Sequence, residues 1–310
     1  MEQTVKISPM IKFSAVSLGL LALTACGSAQ ADEQANSETP AFCVDGPINF
    51  GIEPFEAPAK LEPAYGVLAD ALERELGCEV EVQVVEDYAA EVLAMRNGKL
   101  DLGQFGPVGY VFASQQAGAE PLVSFGTSEG ELSTYTGGIW VAKDSEIKTL
   151  EDLRGKDFAL GGVGSTSGDV LPRYALKTAG IPESEVNLNY AGGHPEALLA
   201  LTNGTVDAAQ LNSQTQAVAE EEGTFNPEDF RQIWTSDPIP NDPITISADA
   251  DPVLKKAVKD ALLNLPKEDI AQVGAFLDVS PPGPLLEVTK DTYAPLFDLA
   301  SKMGLTEDDI

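Results

Sequence analysis

The chain has 310 residues and a formal net charge of −30. Such an acidic protein is not a general nucleic-acid binder, because that function needs a basic surface. From about residue 42 onward the chain is long enough for one large domain or two ordinary ones.

The first 25 residues have the pattern of a bacterial lipoprotein signal peptide. Two lysines precede an apolar run over residues 13–23, which is shorter than the roughly 20 residues that a transmembrane helix needs. The run ends in Leu23-Thr24-Ala25-Cys26, a lipobox pattern in which Cys26 becomes the lipidated first residue. We therefore expect export to the periplasm or cell surface, with membrane attachment only through this lipid. Cleavage at Ala29-Gln30-Ala31 is the alternative.

Residues 26–42 predict a flexible tether. They are rich in small and polar residues, and this composition cannot bury a core. No second long apolar run follows in the sequence, so we expect the mature protein to span no membrane.

The rest of the chain alternates strand and helix patterns. Strands are predicted at 47–52, 79–85, 100–105, 121–127, 137–143, 157–162, 186–190, 206–211, 231–236 and 243–248, and helices at 61–76, 88–97, 169–179, 195–203, 255–263 and 293–303. This alternation predicts mainly parallel sheets. The strands are too many for one compact sheet, so we expect two α/β lobes. The sequence has no obvious linker, which favours lobes joined by crossing strands.

Two cysteines remain besides Cys26. Cys43 and Cys78 each precede a predicted strand. If these strands are parallel neighbours, both cysteines lie at one end of the sheet, and the secretory signal makes a disulfide chemically allowed. Two free buried thiols are the alternative.

A glycine- and hydroxyl-rich stretch occupies residues 161–168, between a predicted strand and a predicted helix. Its glycines let the backbone approach a ligand, and Ser165, Thr166 and Ser167 with nearby N–H groups suit an anion. Because no lysine follows, the stretch is not a nucleotide P-loop. The simpler alternative is that Ser167 is a helix N-cap. Pro172 predicts an irregular first turn.

Three further stretches bear polar or glycine-rich turns. His194, the single histidine, follows two glycines and precedes Pro195 at a helix start, where the helix dipole favours a neutral ring. It could instead be a surface-loop residue. Asp242 ends a proline-rich link and could be only a turn residue. Residues 101–110 predict a strand that leads into a glycine-rich turn.

The sequence offers no convincing catalytic or metal-binding motif. One histidine leaves no histidine-rich metal site, and neither a GxSxG elbow nor a serine–lysine motif occurs. We therefore expect neither an enzyme nor a cofactor.

These stretches, in this order, resemble the phosphate/phosphite/phosphonate-binding family of ABC transporter periplasmic proteins. The segments that carry the resemblance are Glu86-Asp87-Tyr88-Ala89, Lys99-Leu100-Asp101, Phe105-Gly106-Pro107, Ser165-Thr166-Ser167-Gly168 with Pro172, Gly193-His194, Asn203-Gly204 with Val206-Asp207-Ala208-Ala209, and Ile239-Pro240-Asn241-Asp242-Pro243. The likeness covers residues 47–305.

The resemblance implies a two-lobe clamshell of the type II periplasmic-binding kind. One lobe would hold residues 43–136 and 243–310, and the other residues 137–242, with hinge strands near 135–141 and 242–246. It also implies a monomer that binds a small oxyanion in the cleft and delivers it to an ABC permease.

The resemblance further implies the ligand-binding residues. They are Ser165, Thr166, Ser167, His194, Tyr88, Asp242, Tyr135, Phe105 and Gln214. Phe105 stands where some members have tyrosine. Gln214 stands where members that bind aminoalkyl phosphonates have an acid, which favours phosphite or methylphosphonate. Alternatives are a sulfate, nitrate or sulfonate binder, or a periplasmic enzyme on the same fold.

Overall fold

The computed structural model describes residues 40–43, 46–306 and 309. The predicted signal peptide at 1–25, Cys26 and the alternative cleavage site lie outside the described residues, as does most of the tether. Within the described part, no helix combines the length and apolar character that a membrane crossing requires.

The strands form two sheets and one short pair. They are β1 (Ile48–Ile52), β2 (Val80–Val84), β3 (Leu102–Gln104), β4 (Glu120–Phe125), β5 (Thr134–Tyr135), β6 (Gly138–Ala142), β7 (Asp157–Leu160), β8 (Asn187–Tyr190), β9 (Ala208–Gln210), β10 (Phe230–Thr235), β11 (Ile239–Pro240), β12 (Ile244–Ile246) and β13 (Leu285–Glu287). The first sheet has the order β13-β4-β12-β3-β1-β2, and the second has the order β10-β6-β9-β7-β8.

Each sheet has three parallel strands at one edge and a reversed strand beside them. In the first, β1 is parallel to β2 and β3, whereas β12 is antiparallel to β3 and β4, and β13 is antiparallel to β4. In the second, β7 is parallel to β8 and β9, whereas β6 is antiparallel to β9 and β10. Most strands of each sheet thus run in one direction, which confirms the predicted α/β class.

The helices cover these sheets. They are α1 (Pro58–Leu76), α2 (Tyr88–Arg96), α3 (Pro107–Gln116), α4 (Leu171–Thr178), α5 (His194–Thr202), α6 (Ser213–Glu221), α7 (Pro252–Asn264), α8 (Lys267–Phe276) and α9 (Ala294–Met303). Helix α1 illustrates the boundary signals, since Pro58 occupies its first turn and Gly77, at φ 69°, ends it.

Helix α3 was not predicted, because its sequence was interpreted as a glycine-rich turn. Residues 107–113 of this helix are all buried. A helix that is enclosed on every side has no polar face, so it lacks the periodic pattern that reveals an amphipathic helix.

Apolar side chains bury both faces of the second sheet. Phe158 and Leu160 of β7 pack with α4, whereas Ala159 between them packs with α5 residues. Alternate residues of a strand point to opposite faces, so this sheet is covered on both sides. The first sheet packs with α1, α7 and α8 in one cluster, and α2, α3 and α9 form another.

Two chain segments cross between the sheets. Within them β5 pairs antiparallel with β11, with Ile239 opposite Tyr135. Tyr135 lies at the first position of the predicted hinge at 135–141, whereas Ile239 and Pro240 precede the one predicted at 242–246, since β6 and β12 themselves belong to the sheets. The first sheet draws on residues 48–125 and 244–287, and the second on residues 138–235. We propose that the lobes are 43–136 with 243–310, and 137–242.

A disulfide joins Cys43 to Cys78, with their Cα atoms 5.6 Å apart. Each cysteine precedes a strand of a parallel pair in which Ile48 lies opposite Val80. The two thiols therefore meet at one end of the first sheet.

Removing the disulfide should destabilise the fold. Closing a loop across 35 positions restricts the unfolded chain, and the chain-entropy relation gives about 4 kcal/mol. We expect Cys43→Ser/Cys78→Ser to lose this free energy of unfolding in guanidinium titrations, and reduced wild-type protein to match the variant. Equal stability of the oxidised and reduced proteins would contradict the prediction.

Candidate ligand-binding site

A small buried cavity lies where segments of both sheets meet. Its accessible volume is about 10 Å³, roughly the room of a single water position. The closely packed lining therefore suits only a ligand of few atoms. Its lining residues are Glu53, Phe55, Tyr88, Gly106, Tyr135, Ser165, Thr166, Ser167, His194, Asn212, Gln214 and Asp242. A larger groove between α4, residues 234–240 and α9 contains none of the predicted site residues.

Every predicted ligand residue except Phe105 lines this cavity. Phe105 is buried in the apolar cluster formed by α2, α3 and α9. Its ring turns away from the cavity beneath α3, so the predicted ligand contact, and the loss of a hydroxyl contact there, do not fit this geometry.

The Ser165–Ser167 turn is built by a sharply folded loop. Gly161 N–H donates to Gly168 O at 2.8 Å, which closes the loop, and a short π turn, Thr166–Val170, then leads into α4. Ser165, not Ser167, caps this turn by accepting from Gly168 N–H at 3.2 Å. The π turn is the irregular first turn that Pro172 predicts.

Gly168 permits the close packing of this turn. A Cβ atom at this position would lie 2.8 Å from Ser165 Oγ and 2.9 Å from His194 Cε1. Any other residue would therefore push the turn and the histidine apart.

The other two hydroxyl groups have fixed positions. Thr166 Oγ1 accepts from the backbone N–H of Val108, in the first turn of α3, at 2.8 Å. Ser167 Oγ accepts from Asn212 Nδ2 at 3.1 Å. Both hydroxyls accept in these bonds, so each keeps its own O–H to donate to a bound oxygen. The Thr166 bond also ties the turn to the first sheet's helices.

His194 is a buried residue, not a surface-loop histidine. It is 3% exposed, and its Nδ1 lies 3.0 Å from Gln210 Oε1 while its Nε2 lies 3.2 Å from Ser165 Oγ. Burial lowers the pKa of His194 to about 4. Because Gln210 Oε1 only accepts, we assign the proton to Nδ1, so Nε2 accepts from the Ser165 hydroxyl. A bound anion would favour a second proton on this ring.

Acidic groups occupy the opposite side of the cavity. Burial raises the pKa of Asp242 to about 7. Burial, and then the charges of Asp242 and Glu91, raise the pKa of Glu53 well above its usual range. Burial also raises the pKa of Glu91, on α2, well above its usual range.

Sequence analysis missed four lining residues, Glu53, Phe55, Gly106 and Asn212. Glu53 directly follows β1, and Gly106 follows β3 by two residues. These strands are parallel neighbours, and ligands of α/β proteins bind beyond the carboxyl ends of such strands. Strand-end position was therefore the signal that could have found Glu53 and Gly106.

Two buried tyrosines complete the lining. Tyr88 begins α2 after its N-cap Asp87, which accepts from Ala90 N–H at 2.7 Å, and Tyr135 belongs to β5. Burial first raises the pKa of each well above its usual range; the charge of Glu53 adds to this for Tyr88 and that of Asp242 for Tyr135. Both phenols therefore remain O–H donors near neutral pH.

Gln214 faces the cavity but donates to groups outside it. Its Nε2 lies 2.9 Å from Asn241 Oδ1 and 3.4 Å from Leu277 O. Asn241 in turn donates to Leu277 O at 3.2 Å. The amide of α6 is thus bound to the loop before β12 and to the end of α8.

The neutral state of His194 predicts a pH-dependent stability. Its folded pKa of about 4 lies below the unfolded value near 6.5, so its contribution is fully present above pH 6.5 and is lost as pH falls toward 4. The loss amounts to about 3 kcal/mol. We expect the unfolding free energy of wild type to fall by this much more than that of His194→Asn between pH 7 and 4, in urea titrations. Parallel curves would contradict a neutral buried histidine.

Comparisons with known proteins identify the family of this chain. Residues 50–280 match the family described as "ABC transporter, phosphonate, periplasmic substrate-binding protein". The chain is 32% identical over 203 residues to a phosphate-import protein PhnD of Mycolicibacterium smegmatis, covering 62% of this chain and 63% of the relative. It is 28% identical over 225 residues to a phosphonates-binding periplasmic protein of Escherichia coli, covering 71% and 66%. The alignments thus span just under two thirds of these relatives.

A comparison with solved structures points to the same family of folds. PhnD1 of Prochlorococcus marinus, solved in complex with methylphosphonate, superposes with a TM-score of 0.73 at 20% identity, covering 83% of this chain and 98% of that one. At this identity the likeness shows a shared fold, that of a two-lobe periplasmic binding protein. With the match over residues 50–280, it establishes that the chain belongs to the periplasmic phosphonate-binding family of ABC transporter substrate-binding proteins.

Proposed function

We propose that this protein is the exported substrate-binding component of an ABC importer and that its cargo is a small phosphorus oxyanion, phosphite or methylphosphonate. The observation that carries the proposal is the cavity itself. It brings the Ser165–Ser167 turn, His194 and two tyrosines around one small, closely lined space. Its lining contains neither lysine nor arginine, so neutral donors hold the anion.

The donors divide into two groups. The hydroxyls of Thr166 and Ser167, with the backbone N–H groups that start the turn, hold phosphorus oxygens on one side. The phenols of Tyr88 and Tyr135 donate from the first lobe and the crossing strand. His194 acts on the site through Ser165, whose hydroxyl it fixes by accepting its hydrogen bond at Nε2.

Asp242 lets the site discriminate between protonated and fully ionised ligands. A carboxylate repels a fully ionised ligand but accepts a hydrogen bond from a protonated ligand oxygen. Phosphonates and phosphite carry such a proton near neutral pH, whereas sulfate and sulfonates do not. The site therefore favours phosphorus oxyanions over those of sulfur.

Gln214 disfavours an aminoalkyl ligand. Its Nε2 is already bound to Asn241 and Leu277. It presents no full negative charge to an ammonium group, which supports a ligand without an amine.

We further propose that Cys26 carries the lipid, that the mature protein is a monomer outside the cytoplasmic membrane, and that it delivers ligand to a permease without catalysing a reaction. The named relatives act as import or periplasmic binding proteins, which supports this role. Mass spectrometry of the membrane-extracted protein tests the lipid on Cys26.

A ligand panel tests the cargo. We expect isothermal titration of the purified protein to show micromolar or tighter binding of phosphite or methylphosphonate, and none of sulfate or an alkanesulfonate. Ser167→Ala should weaken binding by about 10- to 100-fold, because it removes one hydrogen bond to a charged group. Ser184→Ala, at an exposed serine, is the matched control. Tight sulfonate binding, or silence across the panel, would refute the assigned cargo.

The pH dependence tests Asp242. Above both the ligand's last pKa and the Asp242 pKa of about 7, the free partners carry no proton, whereas the complex needs one between them. Binding then takes up one proton, so Kd should rise about tenfold for each further pH unit. Asp242→Asn should flatten this slope. A wild-type affinity that is independent of pH would remove Asp242 from this role.

A further inference from the structure

We infer that Glu53 is a second specificity-determining residue of this cavity: it stays protonated and donates a hydrogen bond to Asp242, which keeps Asp242 as an acceptor and obliges the ligand to bring its own O–H. The inference rests on the proposed function for its choice of ligand. The proton on Glu53 can be tested without any ligand.

The position of Glu53 is fixed by the backbone. It follows β1, is 3% exposed and lines the cavity. The backbone N–H of Gly106, just before α3, donates to Glu53 Oε2. A Cβ atom on residue 106 would lie 2.8 Å from this oxygen, so only glycine allows the carboxyl group to sit there. The carboxyl is also within hydrogen-bonding reach of Asp242.

Two adjacent carboxylates cannot both be ionised here. Among the ion pairs of the described residues, none involves Glu53, Asp242 or Glu91. The described part also contains no cluster of acids, histidines and cysteines arranged to hold a metal ion. Like charges at close range in a buried site are therefore relieved by a proton on one of them.

The surrounding groups decide which acid holds the proton. The titratable groups that face this acid pair are Tyr65 of α1, Glu91 and Tyr88 of α2, Tyr135 of β5, His194 of α5 and Tyr293 just before α9. None of them is a cation at neutral pH, because His194 is neutral. Burial, Asp242 and Glu91 raise the pKa of Glu53 more than the Gly106 N–H lowers it, whereas hydrogen bonds from Gln104 and then Glu53 oppose the upward shift that burial causes at Asp242. The proton therefore belongs on Glu53 and the charge on Asp242.

The consequence is a stricter ligand choice. Glu53 donates a hydrogen bond to Asp242 and keeps it ionised. The ionised carboxylate can then only accept a hydrogen bond from the ligand. An oxyanion with an O–H satisfies it, whereas one without an O–H leaves a buried carboxylate facing a full negative charge. The class selected is thus partly protonated oxyanions, and Glu53 enforces that selection.

Two substitutions at Glu53 test the inference. Glu53→Gln is neutral and keeps an N–H donor, whereas Glu53→Met is neutral and has none. With phosphite as the probe, we expect the Kd of Glu53→Gln at pH 7.5 to stay within about threefold of wild type, with an unchanged pH profile. In Glu53→Met the decline of affinity with rising pH should begin about one pH unit higher, because Asp242 loses one of its two side-chain donors, Glu53 and Gln104, and keeps its proton longer.

A merely structural role would weaken binding equally at every pH and would not be rescued by glutamine. If Glu53 were ionised, Glu53→Gln would remove a negative charge and tighten phosphite binding more than tenfold. Either result would overturn the inference. Glu91→Gln is the matched control, since it replaces a neighbouring buried carboxyl group that does not line the cavity, and its pH profile should equal that of wild type.

A ligand-free measurement separates this inference from the proposed function. At pH 8.5 Asp242 is ionised, so the infrared absorption of a protonated carboxyl group in Glu91→Gln should come from Glu53. Its presence supports the inference even if no phosphorus oxyanion binds. Absence of this absorption overturns the inference even if phosphite binds tightly. The infrared measurement also tests the proton on Glu53 if the Glu53 variants do not fold.

Discussion

An anion that is removed from water must be met by hydrogen-bond donors, since a buried charge without partners costs several kcal/mol. This constraint shapes the cavity, whose lining has no lysine or arginine. Hydroxyls, phenols and backbone N–H groups supply the donors. Two of the hydroxyls are fixed by a further bond, Thr166 by the Val108 N–H and Ser167 by the Asn212 amide. Fixed neutral donors are available without the desolvation cost that a buried cation would add.

The topology explains why these donors meet. Glu53 and Gly106 follow β1 and β3 of the first sheet, while the serine-rich turn, His194 and Asn212 follow β7, β8 and β9 of the second. In each sheet these strands are parallel neighbours, so their carboxyl ends share one edge. The crossing segments, paired through β5 and β11, bring the two edges together and contribute Tyr135 directly. The site is thus a property of two sheets facing each other, and neither sheet contains it alone.

Local sequence patterns predict much of the fold and of the site. The elements and residues that they do not predict have physical explanations. The alternation of strands and helices, and the turns around Ser165 and His194, are visible in the sequence because turns and caps need particular residues. Helix α3 has no polar face to reveal it. Phe105 was misassigned because the direction of a side chain at a strand end depends on packing against α3. Glu53 was overlooked because a chain with 49 acidic residues makes any single carboxyl uninformative, and an acid is unexpected beside an anion.

Gln214 shows how ligand choice and the contact between the lobes share one residue. Its amide donates to Asn241 Oδ1 and to Leu277 O, and both of these atoms are acceptors. A carboxylate at this position would face two acceptors and could not bond to either, unless a cationic ligand group supplied donors between them. We propose that an acid here would need an ammonium-bearing ligand to complete the contact, whereas glutamine completes it with its own N–H groups. On this proposal the contact forms around a ligand that has no amine.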